Sequence, residues 1–203
     1  MFITFEGPEG SGKSSQIGRL QTFIEARGFQ VVATREPGGT AIGDQIRDCL
    51  HDVNNKEMIS VTEFLLYSAS RAQLIREIIQ PALNQGKIVL CDRFADSSIA
   101  YQGFGRGLDL NRLRQITEFA TSGLKPDLTF LLDIDVERGL SRRVIGNDEM
   151  NRLDLEAVAF HKRVREGYHQ LAQAEPERWC IIDADRSVEL IQAELQSVFL
   201  SRI

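Results

Sequence analysis

The segment Gly7-Pro8-Glu9-Gly10-Ser11-Gly12-Lys13-Ser14 places two glycines, a lysine and a hydroxyl at the spacing G-x-x-x-x-G-K-[ST]. Small residues at this spacing let backbone N–H groups turn inward around phosphate oxygens, and a helix starting near Lys13 offers them its positive end. Lys13 then neutralises the β- and γ-phosphates of a nucleoside triphosphate, and the Ser14 hydroxyl ligates Mg²⁺. An ordinary glycine turn is the competing reading. The apolar run before the segment and the helical period after it favour the phosphate loop.

A second set of residues suits phosphate by charge. Arg35 and Glu36 lie in Thr34-Arg35-Glu36-Pro37-Gly38-Gly39-Thr40, Arg93 lies in Asp92-Arg93-Phe94, and Arg142, Arg143 and Arg152 flank a polar stretch. A guanidinium binds phosphate oxygens in pairs and keeps its charge. Tyr67 and Arg71 are four apart and so share a helical face. Phosphoryl transfer needs in-line placement and positive charge more than it needs a covalent intermediate. Several of these residues also admit plainer roles. Arg71 and Glu36 suit a solvated surface, Tyr67 suits a core, and Asp92 suits either an ion pair with Arg93 or a water-mediated hold on Mg²⁺. Asp135 is placed to cap the helix that follows it.

The elements that must carry these residues follow from periodicity. Apolar runs at 2–5, 29–34, 88–91, 128–133 and 179–182 read as strands, separated by helical patterns at 13–27, 41–50, 61–85, 111–122, 136–143, 153–173 and 188–201. This alternation predicts an α/β fold with a five-stranded parallel sheet flanked by helices on both faces, and it puts the arginines at the C-terminal ends of strands, where such sheets hold ligands. The 203 residues suit one domain, with a short lid at about 142–152 as a mobile insertion. A net charge of −5 argues against a nucleic-acid polymer or an anionic membrane as the main partner. Three scattered cysteines form no disulfide or zinc pattern, and no run is long enough to span a membrane, so a cytoplasmic protein is expected.

Taken together, the phosphate loop with its internal Glu9, the TREPGGT segment, Tyr67 through Arg71 to Gln73, and DRFADSSIAYQG at 92–103 resemble bacterial thymidylate kinase. The likeness continues through PDLTFLLDID, the arginine-bearing stretch 142–152 and IDA at 182–184, so it spans nearly the whole chain. It implies the P-loop NTP hydrolase fold, a homodimer, MgATP as donor and thymidine 5′-monophosphate as acceptor. By the same resemblance Arg93 holds the acceptor phosphate, Arg71 contacts the thymine carbonyl, and Tyr67 stacks on the base. Ser98, Tyr101 and Gln102 fall near base and sugar, with Tyr101 crowding C2′; Glu9 accepts from the 3′-hydroxyl, and Arg35 with Glu36 shapes the acceptor side. In that family an arginine reaches the transferring phosphoryl either from inside the phosphate loop or from the lid; this loop has none, so the resemblance implies the lid, without choosing among Arg142, Arg143 and Arg152.

Other classes fit less well. A guanine-nucleotide switch would carry NKxD and DxxG, and the nearest sequence is Asn55-Lys56-Glu57-Met58. An oligomeric ATPase would place an acid where Arg93 stands. A kinase for another nucleoside monophosphate is the serious alternative.

Overall fold

The computed structural model describes residues 1–145 and 151–203. Its five strands are β1 Phe2–Glu6, β2 Val31–Arg35, β3 Ile88–Asp92, β4 Leu128–Asp133 and β5 Trp179–Asp183. They form one sheet in the order β2-β3-β1-β4-β5, with every neighbouring pair parallel. The three inner strands are buried on both faces, which is why they read as unbroken apolar runs.

Strand period divides the core in two. Ile3 and Phe5 point to one face, where α1 (Lys13–Glu25) and α9 (Val188–Leu200) cover them with Leu20, Ile24, Leu195 and Phe199. Phe2 points to the other face and meets Phe94 and Leu74 at the end of α3 (Ser60–Leu74). There α8 (Val158–Ala174) packs Val164 and Tyr168 against Leu131 and Trp179. The same alternation aims Glu6 at the end of β1 into this second face, beside the start of the segment after β3. Helices α2 (Ala41–His51), α4 (Gln80–Asn84), α5 (Ala95–Ser98), α6 (Leu110–Thr121) and α7 (Val136–Ile145) complete the layers.

Parallel pairing brings the functional ends together. Phe5 sits beside Asp92, and Arg35 sits beside Asp92 from the other side. The chain therefore leaves β1, β2, β3 and β4 along one edge, straight into the phosphate loop, Glu36, Arg93 and α7.

The structure revises several boundaries. The helix expected at 61–85 is α3, a π-helical turn Ile75–Ile79, and α4; Pro81 has no N–H to return to the preceding turn, and the ladder widens there. The helix expected from 153 starts at Val158, because the side chain of Asn151 accepts from the N–H groups of Leu153 and Asp154 and holds a turn. Absent from the expectation is helix α5 and its π-helical continuation Ile99–Gly105; this stretch is buried nearly all round, so it shows no period. Of the expected lid, residues 146–150 lie outside the described residues.

Candidate active site

The phosphate loop is built largely from backbone. Gly7, Gly10 and Gly12 all have positive φ, and α1 begins at Lys13 immediately after them. A side chain on Gly10 would strike the backbone of Gly139 in α7, and one on Gly139 would strike the carbonyl of Glu9. The loop and α7 thus touch backbone to backbone, which fixes α7 and its arginines against the loop. Lys13 folds over the loop, donating to Gly7 O at 3.2 Å, Pro8 O at 3.0 Å and Ser11 Oγ at 3.2 Å. Burial, then the positive field of Arg93, lowers its pKa to about 8. Ser14 Oγ donates to Asp92 Oδ2 at 2.7 Å.

Across the cleft, Arg93 holds a φ of 68°, a left-handed conformation unusual for a non-glycine residue. Its fork is committed on several sides: Nη2 donates to Glu9 Oε1 at 2.8 Å, and Nη1 donates to Gly7 O and to the Tyr168 hydroxyl, each at 3.1 Å. Tyr101 donates to the same Glu9 oxygen at 2.8 Å, and its ring lies under the guanidinium of Arg93. Burial alone would raise the carboxyl of Glu9, but Arg93 and Lys13 outweigh it and bring the pKa to about 2. Behind Arg93, the carboxylate of Glu6 accepts from Phe94 N, Ser97 Oγ and the Tyr168 hydroxyl. Burial, helped by Asp96, raises Glu6 to about 7.

Arg71 and Glu36 form a second, deeper pair at 2.7 Å, with side chains 1% and 3% exposed. Arg71 Nη2 also donates to Phe94 O and to Ser98 Oγ. Glu36 Oε1 and Arg71 Nη1 are enclosed and have no hydrogen-bond partner among the described residues. Burial raises Glu36 to about 7 against the pull of Arg71.

The three arginines around the expected lid go to three different places. Arg142 donates to Ala184 O and Asp185 Oδ1. Arg143 donates to Asp154 Oδ2 at 2.9 Å, with its other terminal nitrogen 3.7 Å from Glu9 Oε2. Arg152 turns inward, donating to Leu50 O at 3.2 Å and meeting Glu63 Oε2 at 2.5 Å.

These groups surround one cleft of about 520 Å³. Its walls include Glu9 through Ser14, Arg35, Glu36, Tyr67, Asp92, Arg93, Ser98, Tyr101, Gln102, Arg142 and Arg143. Arg71 and Arg152 do not line it: Arg71 lies one layer behind Ser98 and Glu36, and Arg152 is paired away. Asp92 stands beside Ser14 rather than in an ion pair with Arg93. Asp135 caps α7, accepting from the N–H groups of Glu137 and Arg138. Sequence reasoning missed Arg47 and His51, both lining the cleft from α2, and Tyr168 behind Arg93. Their spacing held a signal for the first two, since both follow Arg35 onto one helix four residues apart; Tyr168 had none.

Among the described residues no group of three or more His, Cys, Asp or Glu side chains is arranged to hold a metal, and no helix is long and apolar enough to cross a membrane. The thymidylate kinase family profile matches residues 5–195. A thymidylate kinase of Roseiflexus sp. (strain RS-1) is 51% identical over 98% of this chain and 92% of its own. One from Halothermothrix orenii is 53% identical over 96% of this chain and 94% of its own. The crystal structure of thymidylate kinase from Ehrlichia chaffeensis superposes with a TM-score of 0.81 at 34% identity, covering 98% of each chain.

Proposed function

This chain belongs to the thymidylate kinase family and phosphorylates thymidine 5′-monophosphate (dTMP) with ATP, giving dTDP and ADP; we propose that one P-loop kinase domain, residues 1–203, does so by direct in-line transfer. The observation that carries this reading is the 2.8 Å contact between Arg93 and Glu9. It sets the arginine of the acceptor strand against the loop that takes the triphosphate, so two phosphate sites share one wall.

On the donor side, the amides of Gly7, Pro8, Glu9, Gly10, Ser11 and Gly12 wrap the triphosphate with Lys13 and Ser14. Lys13 occupies backbone carbonyls that phosphate oxygens would replace as its partners. Ser14 and Asp92 suit Mg²⁺, which takes one or two protein oxygens and completes its shell with phosphate and water. When bound, the ion neutralises charge on the β- and γ-phosphates.

On the acceptor side, Arg93 holds the dTMP phosphate, and Glu9 receives the sugar hydroxyl with Tyr101 below it. Tyr67 stacks on the base, Arg35 and Glu36 close the near wall, and Ser98 and Gln102 read the base edge, with Arg71 acting on it through Ser98 from behind. Arg143 supplies charge to the transferring phosphoryl, because it reaches Glu9 from a helix fixed to the phosphate loop. Arg142 serves the nucleotide side, and Arg152 anchors the far end of the lid. Closing that lid excludes water and suppresses idle ATP hydrolysis.

We further assign a homodimer formed through α3 and α6. Val61 and Leu65 on α3, and Ile116 and Phe119 on α6, are exposed, Phe119 to 86%, on helices that pack side by side. With its three free cysteines the protein suits the reducing cytoplasm. A coupled assay of ADP release across a panel of nucleoside monophosphates tests the substrate. Turnover should be fastest with dTMP, and equal rates with uridylate would dismiss this acceptor.

A further inference from the structure

Two groups on the cleft wall have their hydrogen-bonding sense fixed from behind by buried ions of opposite charge. Ser98 ends α5 and Gln102 stands four residues on, in the π-helical run; both line the cleft. Behind Ser98 lies Arg71, whose Nη2 donates to Ser98 Oγ at 3.0 Å. A guanidinium carries donors only, so the hydroxyl must accept there and keeps its own proton for another partner.

Behind Gln102 lies Glu63 on α3, 1% exposed and outside the cleft wall. Its Oε1 accepts from Gln102 Nε2 at 2.8 Å, and its Oε2 is held by Arg106 at 3.0 Å and Arg152 at 2.5 Å. Burial works against its charge, yet the hydrogen bonds from Arg106 and Gln102 outweigh it and keep the carboxyl below the ordinary carboxylate range. An ionised carboxylate accepts only. The amide of Gln102 therefore has one permitted orientation, with its NH₂ on Glu63 and its carbonyl left over.

We propose that Glu63, which touches no substrate atom, is a positioning residue that sets base selectivity by holding the carbonyl of Gln102 as an acceptor beside the donor of Ser98. An acceptor next to a donor complements a pyrimidine with N3–H and a 4-oxo group. It opposes a 4-amino pyrimidine, whose N3 accepts and whose amino group donates. The enzyme thus takes thymine or uracil edges and refuses cytosine, whatever then separates dTMP from dUMP. This deepens the reading of the cleft as the dTMP site and rests on it.

The test compares dTMP, dUMP and dCMP in wild type, Glu63→Gln and Glu63→Asp. Wild type should favour dTMP over dCMP in kcat/KM by about 10⁴ or more, since a mismatched edge leaves buried polar groups unpaired. In Glu63→Gln the new amide can accept or donate, so Gln102 is free to turn. Its dTMP/dCMP ratio should shrink at least about tenfold, corresponding to about 1.4 kcal/mol, while dTMP/dUMP stays constant. Glu63→Asp, still an obligate acceptor, should keep the ratio even where all rates fall. Equal losses on all three substrates in Glu63→Gln, or the same narrowing in Glu63→Asp, would overturn the proposal by making Glu63 a structural residue only. Wild type gives a check independent of variant folding: N3-methyl-dTMP, which lacks the donor, should lose about 10³-fold or more, and acceptance within a few-fold of dTMP refutes the proposal. A wild type that prefers a different monophosphate over dTMP would instead refute the function assigned above.

Discussion

The half of the cleft assigned to the donor is made of backbone, and the half assigned to the acceptor is made of buried charge. Around Gly7 to Gly12 the chain supplies amides and one lysine, and Lys13 rests on carbonyls and a hydroxyl of its own loop. Around Arg93 and Arg71 the chain supplies ions, each locked to a carboxylate from a distant segment: Glu9 for the first and Glu36 for the second. A contiguous loop can be shaped by local conformational preference alone. A wall of charge needs partners brought from afar, and it couples activity to stability, because removing one ion strands the other.

The largest expected effect bears on the lid. Arg143→Ala should lower kcat by about 10³ to 10⁵ with KM for both substrates little changed, the signature of an interaction made chiefly in the transition state. Arg152→Ala should act otherwise. It leaves Glu63 with Arg106 and removes a buried contact, so its main effect is a lower melting temperature and a smaller loss of turnover. Equal losses of kcat in the two variants would erase the distinction drawn between them.

Next comes the direct contrast of the halves. Arg71→Ala leaves Glu36 buried without its counter-ion and should destabilise the protein by about 3 to 5 kcal/mol in urea unfolding, with poor dTMP turnover in what remains folded. Lys13→Ala should cost about 10² to 10³ or more in kcat while leaving the unfolding midpoint unchanged or raised, since the lysine is a charge held out of water. If Lys13→Ala unfolds as readily as Arg71→Ala, the two halves do not differ in the way described.

Gly139 joins the phosphate loop to α7 and its arginines. Gly139→Ala places a methyl against the carbonyl of Glu9 and must push α7 off the phosphate loop, with about 1 to 3 kcal/mol of strain. The expected result is a raised KM for ATP and a lower kcat together, because loop and Arg143 move as one. A change in thermal stability with both kinetic constants intact would show that the contact is packing alone.

This division also explains what could be seen in the sequence. The phosphate loop is legible because its eight residues are consecutive and their chemistry is local. The acceptor residues were named through family resemblance, and their arrangement was not. Arg71 was expected against the base, yet it stands behind Ser98, committed to Glu36, which is 35 positions away in sequence. Glu6, Ser97 and Tyr168 support Arg93 from three elements as much as 162 residues apart, and no spacing rule reaches that far. The run 95–105 escaped because burial on every side removes the amphipathic period that marks a helix. What tertiary burial creates, local pattern does not announce.

The smallest effect is a titration, and it separates the lysine from the arginines. Buried beside Arg93, Lys13 has a folded pKa of about 8, below its ordinary 10.5. For a base whose pKa falls on folding, the unfolded chain binds more protons between those values, so Lys13 penalises the fold at neutral pH, and that penalty is released as pH rises from about 8 to 10.5. Activity moves the other way, since the free enzyme loses the loop's positive charge as pH climbs past about 8. At saturating dTMP, kcat/KM for ATP should therefore decline above that point, while kcat holds to higher pH because the bound triphosphate restores the proton's advantage. Lys13→Arg, permanently charged, should be slower but lack this decline. A wild-type profile that stays flat to pH 10, or an arginine variant that bends in the same place, would assign the alkaline limb to some other group and remove Lys13 from the part of the comparison that rests on charge.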